Sequence, residues 1–137
     1  MKNNTFKKEE RLCSVRLIES LFAKGSSFVL YPYRIVYYIP QEGVSTVPAQ
    51  AIISVSKRRF KKAVDRNAIK RRMRECYRLQ KDDTLYPFLA EQQVNLLLAI
   101  QFVGKSSVDY PQMYAKLEKA LTRFKDEYLK VHTAAIT

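Results

Sequence analysis

The side chains of this chain best suited to binding a charged ligand are the lysines and arginines of segment 57–81, KRRFKKAVDRNAIKRRMRECYRLQK. The segment holds twelve lysines and arginines against two acids, Asp65 and Glu75, whereas the rest of the 137-residue chain is nearly neutral. Like charges at this density repel one another, and a folded domain tolerates them best when it binds a polyanion. The first candidate partners are therefore nucleic-acid phosphates and an anionic membrane surface.

A helix is expected to display these bases from about Ala63 to Gln80. At 100° per residue, its apolar side chains fall on one side, and most of its bases spread with Asn67 over an adjoining arc of roughly 140°. Like charges four residues apart destabilise a free helix by about 0.2–0.5 kcal/mol per pair, which an ordinary solvated helix would relieve with glutamates. Arginine outnumbers lysine here, which favours bidentate contacts with phosphate. The Asn67 amide can donate to phosphate or sugar oxygens, or it can bond to the local backbone.

The chain offers few groups that could catalyse phosphodiester cleavage. Its single histidine, His132, lies in a tail that is expected to fray, and its 13 acids show no metal-ligand spacing. Cys13 and Cys76 form neither a metal knuckle nor a disulfide framework. A protein catalyst would need such groups, so we predict no catalytic residue and no metal site in this chain.

The elements before the basic segment are expected to begin with a flexible arm over residues 1–13. Ser14 then caps a short helix that runs to Lys24, with Gly25 as its end. The aromatic and β-branched segment Phe28–Ile39 predicts one strand. Its alternation places Tyr33, Ile35, Tyr37 and Ile39 on one face and Arg34, Val36 and Tyr38 on the other.

Further strands are expected on either side of the basic helix. Pro32 should mark the start or an edge of the first strand, and residues 40–50 should form a hairpin loop that leads to a buried strand over Ala51–Ser56. Residues 82–93 are predicted as a loop. The apolar run Val94–Val103 then predicts a third strand, central in the sheet.

An amphipathic helix closes the chain. Pro111 suits its first turn, and residues 132–137 are expected to fray. The apolar stripe of this helix consists of Tyr114, Leu117, Leu121, Phe124 and Tyr128. We predict one domain over residues 1–137, an α+β sandwich of helices packed on a sheet. The N-terminus has no apolar signal region and the apolar runs are too short to span a bilayer, which indicates the cytoplasm.

The sequence SVSKRRFKKAVDRNAIKRRMRE, residues 54–75, resembles the signature of the bacterial ribonuclease P protein component. In that family, a strand ending in SVSK leads through a short basic loop to a helix that opens with an Arg-Asn pair and continues I-K-R-x-x-R-E. Residues 11–25, RLCSVRLIESLFAKG, look like the family's first helix. The family often has an arginine at Ala68, a glycine in the loop that here reads RRFKK, and a phenylalanine at Ile18. The matching positions are Arg66, Asn67, Ile69, Lys70, Arg71, Arg74 and Glu75.

The resemblance implies a two-layer αβββαβα-type sandwich, similar to a ribosomal-protein domain, with a left-handed βαβ crossover. It implies that the protein joins ribonuclease P RNA, and that the resulting endoribonuclease removes the 5′ leader of precursor tRNA. The RNA is expected to carry the active site and its Mg²⁺ ions, and no membrane or protein partner is expected. The RNA-binding residues expected in this chain are Lys57, Arg58, Arg59, Lys61, Lys62, Arg66, Asn67, Lys70, Arg71, Arg74 and Arg78.

The leader is expected to lie in a cleft between the first helix and the sheet. A single strand is best held by aromatic side chains that stack on its bases beside positive charge. The candidates are Phe22, Tyr33 and Tyr37, with Ile18 in support. Each of these positions suits the hydrophobic core equally well.

Other functions fit the sequence less well. The main alternative is a general or ribosomal RNA-binding protein that uses the same helix and has no role in tRNA cleavage. A DNA reader would usually pair the helix with a second one, whereas strands flank it here. A membrane-surface helix would need a larger apolar face, and a stand-alone nuclease would need the catalytic groups discussed above.

Overall fold

The computed structural model describes residues 5–41 and 47–136, with side chains described as far as Val131. A four-stranded sheet of order β1-β2-β4-β3 lies at its centre. The strands are β1 (Ser26–Leu30), β2 (Tyr33–Tyr38), β3 (Ala49–Val55) and β4 (Leu96–Phe102), and the helices are α1 (Val15–Lys24), α2 (Ala63–Thr84), α3 (Tyr86–Gln92) and α4 (Tyr110–Ile136). The fraying expected at 132–137 and the flexibility expected at 1–4 concern residues outside those described in full, and they stay predictions.

Helix α1 begins and ends where the sequence predicts. The Ser14 hydroxyl accepts a hydrogen bond from the Leu17 N–H at 3.3 Å, and the Gly25 N–H donates to the Leu21 carbonyl at 2.8 Å. A Cβ atom at Gly25 would lie 2.7 Å from the Tyr37 carbonyl oxygen. Only glycine allows the helix end to approach β2 this closely, so Gly25 fixes where α1 meets the sheet.

Alternation along the strands divides the sheet into two faces. One face, with Tyr33, Ile35 and Tyr37 of β2, packs against α2, α3 and α4. The other face, with Val36 and Leu97, packs under α1. The α+β class is thus confirmed, with α1 on one face of the sheet and α2, α3 and α4 on the other. The left-handedness of the β3-α2-β4 crossover stays a prediction.

The segment predicted as one strand over residues 28–39 forms two strands. Pro32, which has no N–H to donate, stands at the turn between them, and the Tyr31–Pro32 bond is cis. Strands β1 and β2 pair antiparallel, with Leu30 opposite Tyr33. The hairpin predicted through residues 40–50 is therefore also wrong: the other neighbour of β2 is β4, and β3 pairs with β4 in parallel.

Residues 82–93 are mostly helical, which corrects the predicted loop. Helix α2 continues to Thr84, and α3 follows at once with Pro87 in its first turn, where a missing N–H is tolerated. Leu85 and Leu89 are both fully buried. Their four-residue spacing gives this short stretch an apolar side that packs against the core.

Two predictions for the C-terminal half are confirmed. Strand β4 is central, between β2 and β3. Helix α4 has Pro111 in its first turn, and its stripe packs in the core, with Tyr114 only partly buried. Among the described residues, no helix has an apolar stretch long enough to cross a bilayer.

The N-terminal segment, residues 6–12, packs against the domain, which corrects the expectation of a flexible arm there. The Phe6 ring meets the Tyr77 ring edge to face, with centroids 5.4 Å apart. The Glu10 carboxylate pairs with Lys81 at 2.8 Å. The Leu12 N–H donates to the Ala51 carbonyl at 2.9 Å, so the segment runs beside β3.

Candidate nucleic-acid interface

Helix α2 packs one side in the core and exposes the other to solvent. Ile69, Met73, Cys76 and Tyr77 are buried in the main core. Burial raises the pKa of the Cys76 thiol to about 11, so this cysteine stays protonated and inert. The buried side fixes the rotation of the helix, and with it the direction of its bases.

The basic face of α2 comprises Asn67, Lys70, Arg71, Arg74 and Arg78. Asn67, Arg71 and Arg74 are exposed, and Lys70 and Arg78 are partly buried. At 100° per residue the five positions fall within an arc of about 100°. They form one stripe along the helix, as the sequence predicts, and can contact consecutive phosphates of a nucleic-acid strand.

Arg66 lies outside this stripe and has a local task. Its Nη1 donates to the carbonyls of Phe60 and Lys61, both at 2.8 Å. The bonds tie the basic loop to the first turn of α2. Because both bonds use Nη1, the guanidinium keeps other donors for a phosphate.

Arg78 is paired within the helix. Its Nη2 and Nε contact the Glu75 carboxylate at 2.5 and 3.0 Å. The hydrogen bond from Arg78 lowers the pKa of Glu75, which therefore stays ionised. Both side chains remain partly open to solvent, and a pair near the surface contributes little stability, so a phosphate can compete for Arg78.

The loop between β3 and α2 continues the basic surface. Its five predicted contact residues are all exposed, namely Lys57, Arg58, Arg59, Lys61 and Lys62. The Arg58 N–H donates to the Ser56 hydroxyl at 3.2 Å, and Arg59 Nη1 donates to the Val103 carbonyl at 2.7 Å. The second bond ties the loop to the end of β4, so the cations are presented from a braced loop.

Two of the four predicted leader residues lie at the α1 face. Ile18 is partly buried against the cluster under α1, and Phe22 is 46% exposed. One flank of α1 lines a groove with Tyr38 and Leu97. Ile18 and Phe22 lie on the opposite flank of the helix, away from Tyr38. An exposed ring on this face of the molecule is suited to stacking on a nucleobase.

Tyr33 and Tyr37 lie on the opposite face of the sheet, which corrects their assignment to the cleft. Tyr33 is fully buried, and its hydroxyl donates to the Met113 carbonyl at 2.9 Å. Tyr37 is 9% exposed and packs edge to face on Phe124, with centroids 4.9 Å apart. Burial raises the pKa of both phenols. Helix α4 covers these rings, so neither can reach a single strand in the cleft.

Sequence reasoning missed the residues of the cleft floor. Arg34 alternates with the two tyrosines and is exposed on the α1 face, where its Nη1 lies 3.4 Å from Gln101 Oε1. Val29, opposite Arg34 in β1, is 55% exposed. The alternation that separated Arg34 from Tyr33 was visible in the sequence, and the charge of Arg34 could have marked the open face.

The open cleft, as we use the term, consists of Ile18, Phe22, Val29, Arg34 and Gln101. It combines an exposed ring, apolar side chains and one cation. Among the described residues, no cluster of three or more His, Cys, Asp or Glu side chains is placed to hold a metal ion. The basic face of α2 is suited to binding a polyanion, and the open cleft is suited to binding a single nucleic-acid strand.

Sequence comparison relates this chain to known proteins. The sequence profile of the Ribonuclease P family matches residues 6–125. The ribonuclease P protein component of Porphyromonas gingivalis is 36% identical over 116 residues, which cover 85% of this chain and 83% of that protein. The one from Petrotoga mobilis is 37% identical over 87 residues, which cover 64% and 68%.

Solved structures show the same fold. The RNase P protein of Staphylococcus aureus superposes with a TM-score of 0.67 at 22% identity, covering 86% of this chain and 97% of that one. The RNase P protein of Thermotoga maritima gives a TM-score of 0.65 at 22% identity, covering 83% and 96%. The profile match and the relatives show that the chain belongs to the ribonuclease P protein component family.

Proposed function

We propose that this chain is the protein subunit that binds ribonuclease P RNA through α2 and holds the 5′ leader of precursor tRNA in the open cleft. The observation that carries the proposal is the basic face of α2. Its side chains share one stripe on a helix whose other side is locked in the core. The backbone of such a stripe is preorganised for phosphates, so little backbone order has to be gained on binding.

The RNA contact is chiefly electrostatic in this proposal. Arg71 and Arg74 are exposed arginines one turn apart on the stripe, and each can bind a phosphate with two parallel hydrogen bonds. The exposed cations of the loop extend the contact beyond the first turn of α2. Phosphate contacts position a protein on its RNA without reading sequence, which suits the recognition of one large folded RNA by its shape.

The leader contact is of a different kind. Phe22 supplies a ring for stacking, and Arg34 supplies a cation on the same face of the sheet. Stacking on an aromatic ring tolerates any base, because every base has a π-face. The cleft is therefore expected to accept leaders of varied sequence.

We place the active site and its Mg²⁺ ions in the RNA partner, as the family resemblance implies. Mg²⁺ there would supply charge stabilisation to the phosphodiester being cleaved. The residues of this chain bind and orient: α2 docks on the catalytic RNA, and the open cleft holds the leader upstream of the cleaved bond. This divides binding from chemistry between the two subunits.

Reconstitution tests the proposal. The purified chain, a bacterial ribonuclease P RNA and precursor tRNA are mixed at low Mg²⁺, and 5′ cleavage is followed with each component omitted in turn. We expect cleavage to require the RNA and to be stimulated by the protein. Cleavage by the protein alone would place an active site in this chain. Salt-sensitive RNA binding without stimulation, with several partner RNAs, would favour a general RNA-binding protein.

The basic face is tested by Arg71→Ala. Removing one phosphate contact should weaken RNA binding and reduce the slope of log K against log salt by about 0.9 for a duplex-like site. Lys119→Ala, an exposed cation on α4, is the matched control and should leave affinity and slope unchanged. Equal effects of the two substitutions would show that binding follows net charge rather than the stripe.

A further inference from the structure

A buried ion pair fastens the N-terminal segment to α2. Glu10 and Lys81 lie 2.8 Å apart, and their side chains are 7% and 2% exposed. The Tyr86 hydroxyl donates to the same carboxylate oxygen at 2.6 Å, and the Lys7 N–H donates to the other oxygen at 2.6 Å. Every part of the carboxylate is bonded, which offsets the cost of burying it.

The cation of this pair is held equally well. The Lys81 ammonium lies 3.3 Å from Asp82 and stands over the Tyr86 ring, 4.6 Å from its centroid. The last turn of α2 thus loses one cation from its surface. Lysine is rarely buried so fully unless it is paired, so the arrangement requires Glu10 in place.

The pair also fixes the position of three exposed cations. Lys7, Lys8 and Arg11 are exposed, and Glu10 lies between them in the chain. Phe6 and Glu10 contact Tyr77 and Lys81 of α2. Around the helix axis, Tyr77 lies about 20° from Lys70, and Lys81 lies about 20° from both Lys70 and Arg74. The segment therefore continues the basic face of α2 beyond its third turn.

We propose that Lys7, Lys8 and Arg11 form a second part of the RNA-binding surface, and that Glu10 and Lys81 are positioning residues for it. The inference rests on the proposed RNA-binding function and extends it to the N-terminal segment. Its ligand is the phosphate backbone of ribonuclease P RNA. The buried pair removes the Lys81 cation from the surface of α2. In return it holds the three cations of the segment at a fixed place beside the helix.

The test is a salt series of binding to ribonuclease P RNA by the full-length protein. The triple variant Lys7→Ala, Lys8→Ala, Arg11→Ala should bind more weakly, and its log K against log salt should flatten by up to about 0.9 per lost contact. The matched control removes three lysines of α4, by Lys119→Ala, Lys125→Ala and Lys130→Ala. It should bind like the wild type. Equal slopes for the two triple variants would overturn the proposal.

Positioning is tested by variants that keep all three cations. Glu10→Gln should reduce the salt slope as the triple variant does, and adding it to the triple variant should cause no further loss. Phe6→Ala removes the ring contact with Tyr77 and leaves both residues of the ion pair unchanged in the sequence, so it decides the matter if Glu10→Gln fails to fold. Unchanged slope in Phe6→Ala, together with amide exchange showing Leu12 released from Ala51, would refute the positioning role.

The same series separates this inference from the proposed function. If the wild type binds the RNA and Arg71→Ala weakens it while the N-terminal triple variant does not, only the inference fails. If neither variant changes the binding, the proposed docking through α2 fails as well.

Discussion

The two faces of the sheet use aromatic residues in opposite ways. On the face under α4, Tyr33 and Tyr37 are buried at 0% and 9% exposure. On the face under α1, Phe22 remains 46% exposed and Arg34 is also exposed. An aromatic residue type therefore does not indicate a binding site by itself. What decides is whether a helix covers the ring.

Helix length explains the difference in cover. Helix α1 has 10 residues and α4 has 27, which correspond to about 15 and 40 Å of helix. The long helix, together with α2 and α3, closes one face from end to end. The short helix buries Val36, Leu97 and Ala99 of the other face and leaves Arg34 exposed.

The largest effect is expected from Tyr33→Ala, which attacks the closed face. Removal of a fully buried ring should lower the free energy of unfolding by about 3–5 kcal/mol, measured by urea denaturation. Leader affinity should be unchanged under conditions where the variant is folded. A loss of leader affinity in the folded variant would put Tyr33 back in the cleft.

Phe22→Ala attacks the open face and should act on binding. Loss of one stacked base should reduce leader affinity by about 1–3 kcal/mol, measured as the difference between precursor tRNA and mature tRNA binding to the holoenzyme. Its effect on unfolding should be smaller than that of Tyr33→Ala. Leu129→Ala, a 41% exposed apolar residue on α4, is the control. If Phe22→Ala leaves leader affinity unchanged, as Leu129→Ala should, the proposed difference between the two faces is wrong.

The smallest effects separate the two tyrosine hydroxyls of the closed face. Tyr33→Phe removes a buried hydrogen bond of 2.9 Å and should cost about 1 kcal/mol of unfolding free energy. The Tyr37 hydroxyl lies 3.5 Å from Glu127, the limit of a useful hydrogen bond. Tyr37→Phe should therefore cost clearly less. Equal costs in urea denaturation would mean that the two hydroxyl groups contribute equally to stability despite the different lengths of their hydrogen bonds.

Local patterns predicted what local forces decide. The caps of α1 at Ser14 and Gly25, the start of α2 at Ala63 and the apolar stripe of α4 all depend on residues within a few turns of one another. The division of Tyr33 and Arg34 between opposite faces followed from strand alternation. Which of these faces was covered could not be predicted, because that depends on the direction in which the distant helix α4 returns.

The strand order depends on the same kind of distant choice. Strand β4 contacts β2 and β3 through pairings such as Ile35 with Ile100 and Ile53 with Ile100. These pairings join residues far apart in the sequence, so no local signal specifies them. Pro32 was a local signal for a turn. That this turn joins two strands into a hairpin becomes clear only when Ser26–Leu30 and Tyr33–Tyr38 are recognised as separate strands.

The contact between the N-terminal segment and β3 has a consequence for the protein before it meets any RNA. Strand β3 is an outer strand of the sheet, and such strands offer unpaired backbone groups to other chains. The Leu12 N–H occupies the Ala51 carbonyl, and Arg11 forms a single bridge at the same residue. The segment thus blunts the edge at which a second copy could add a strand, and its release would expose the free subunit to aggregation.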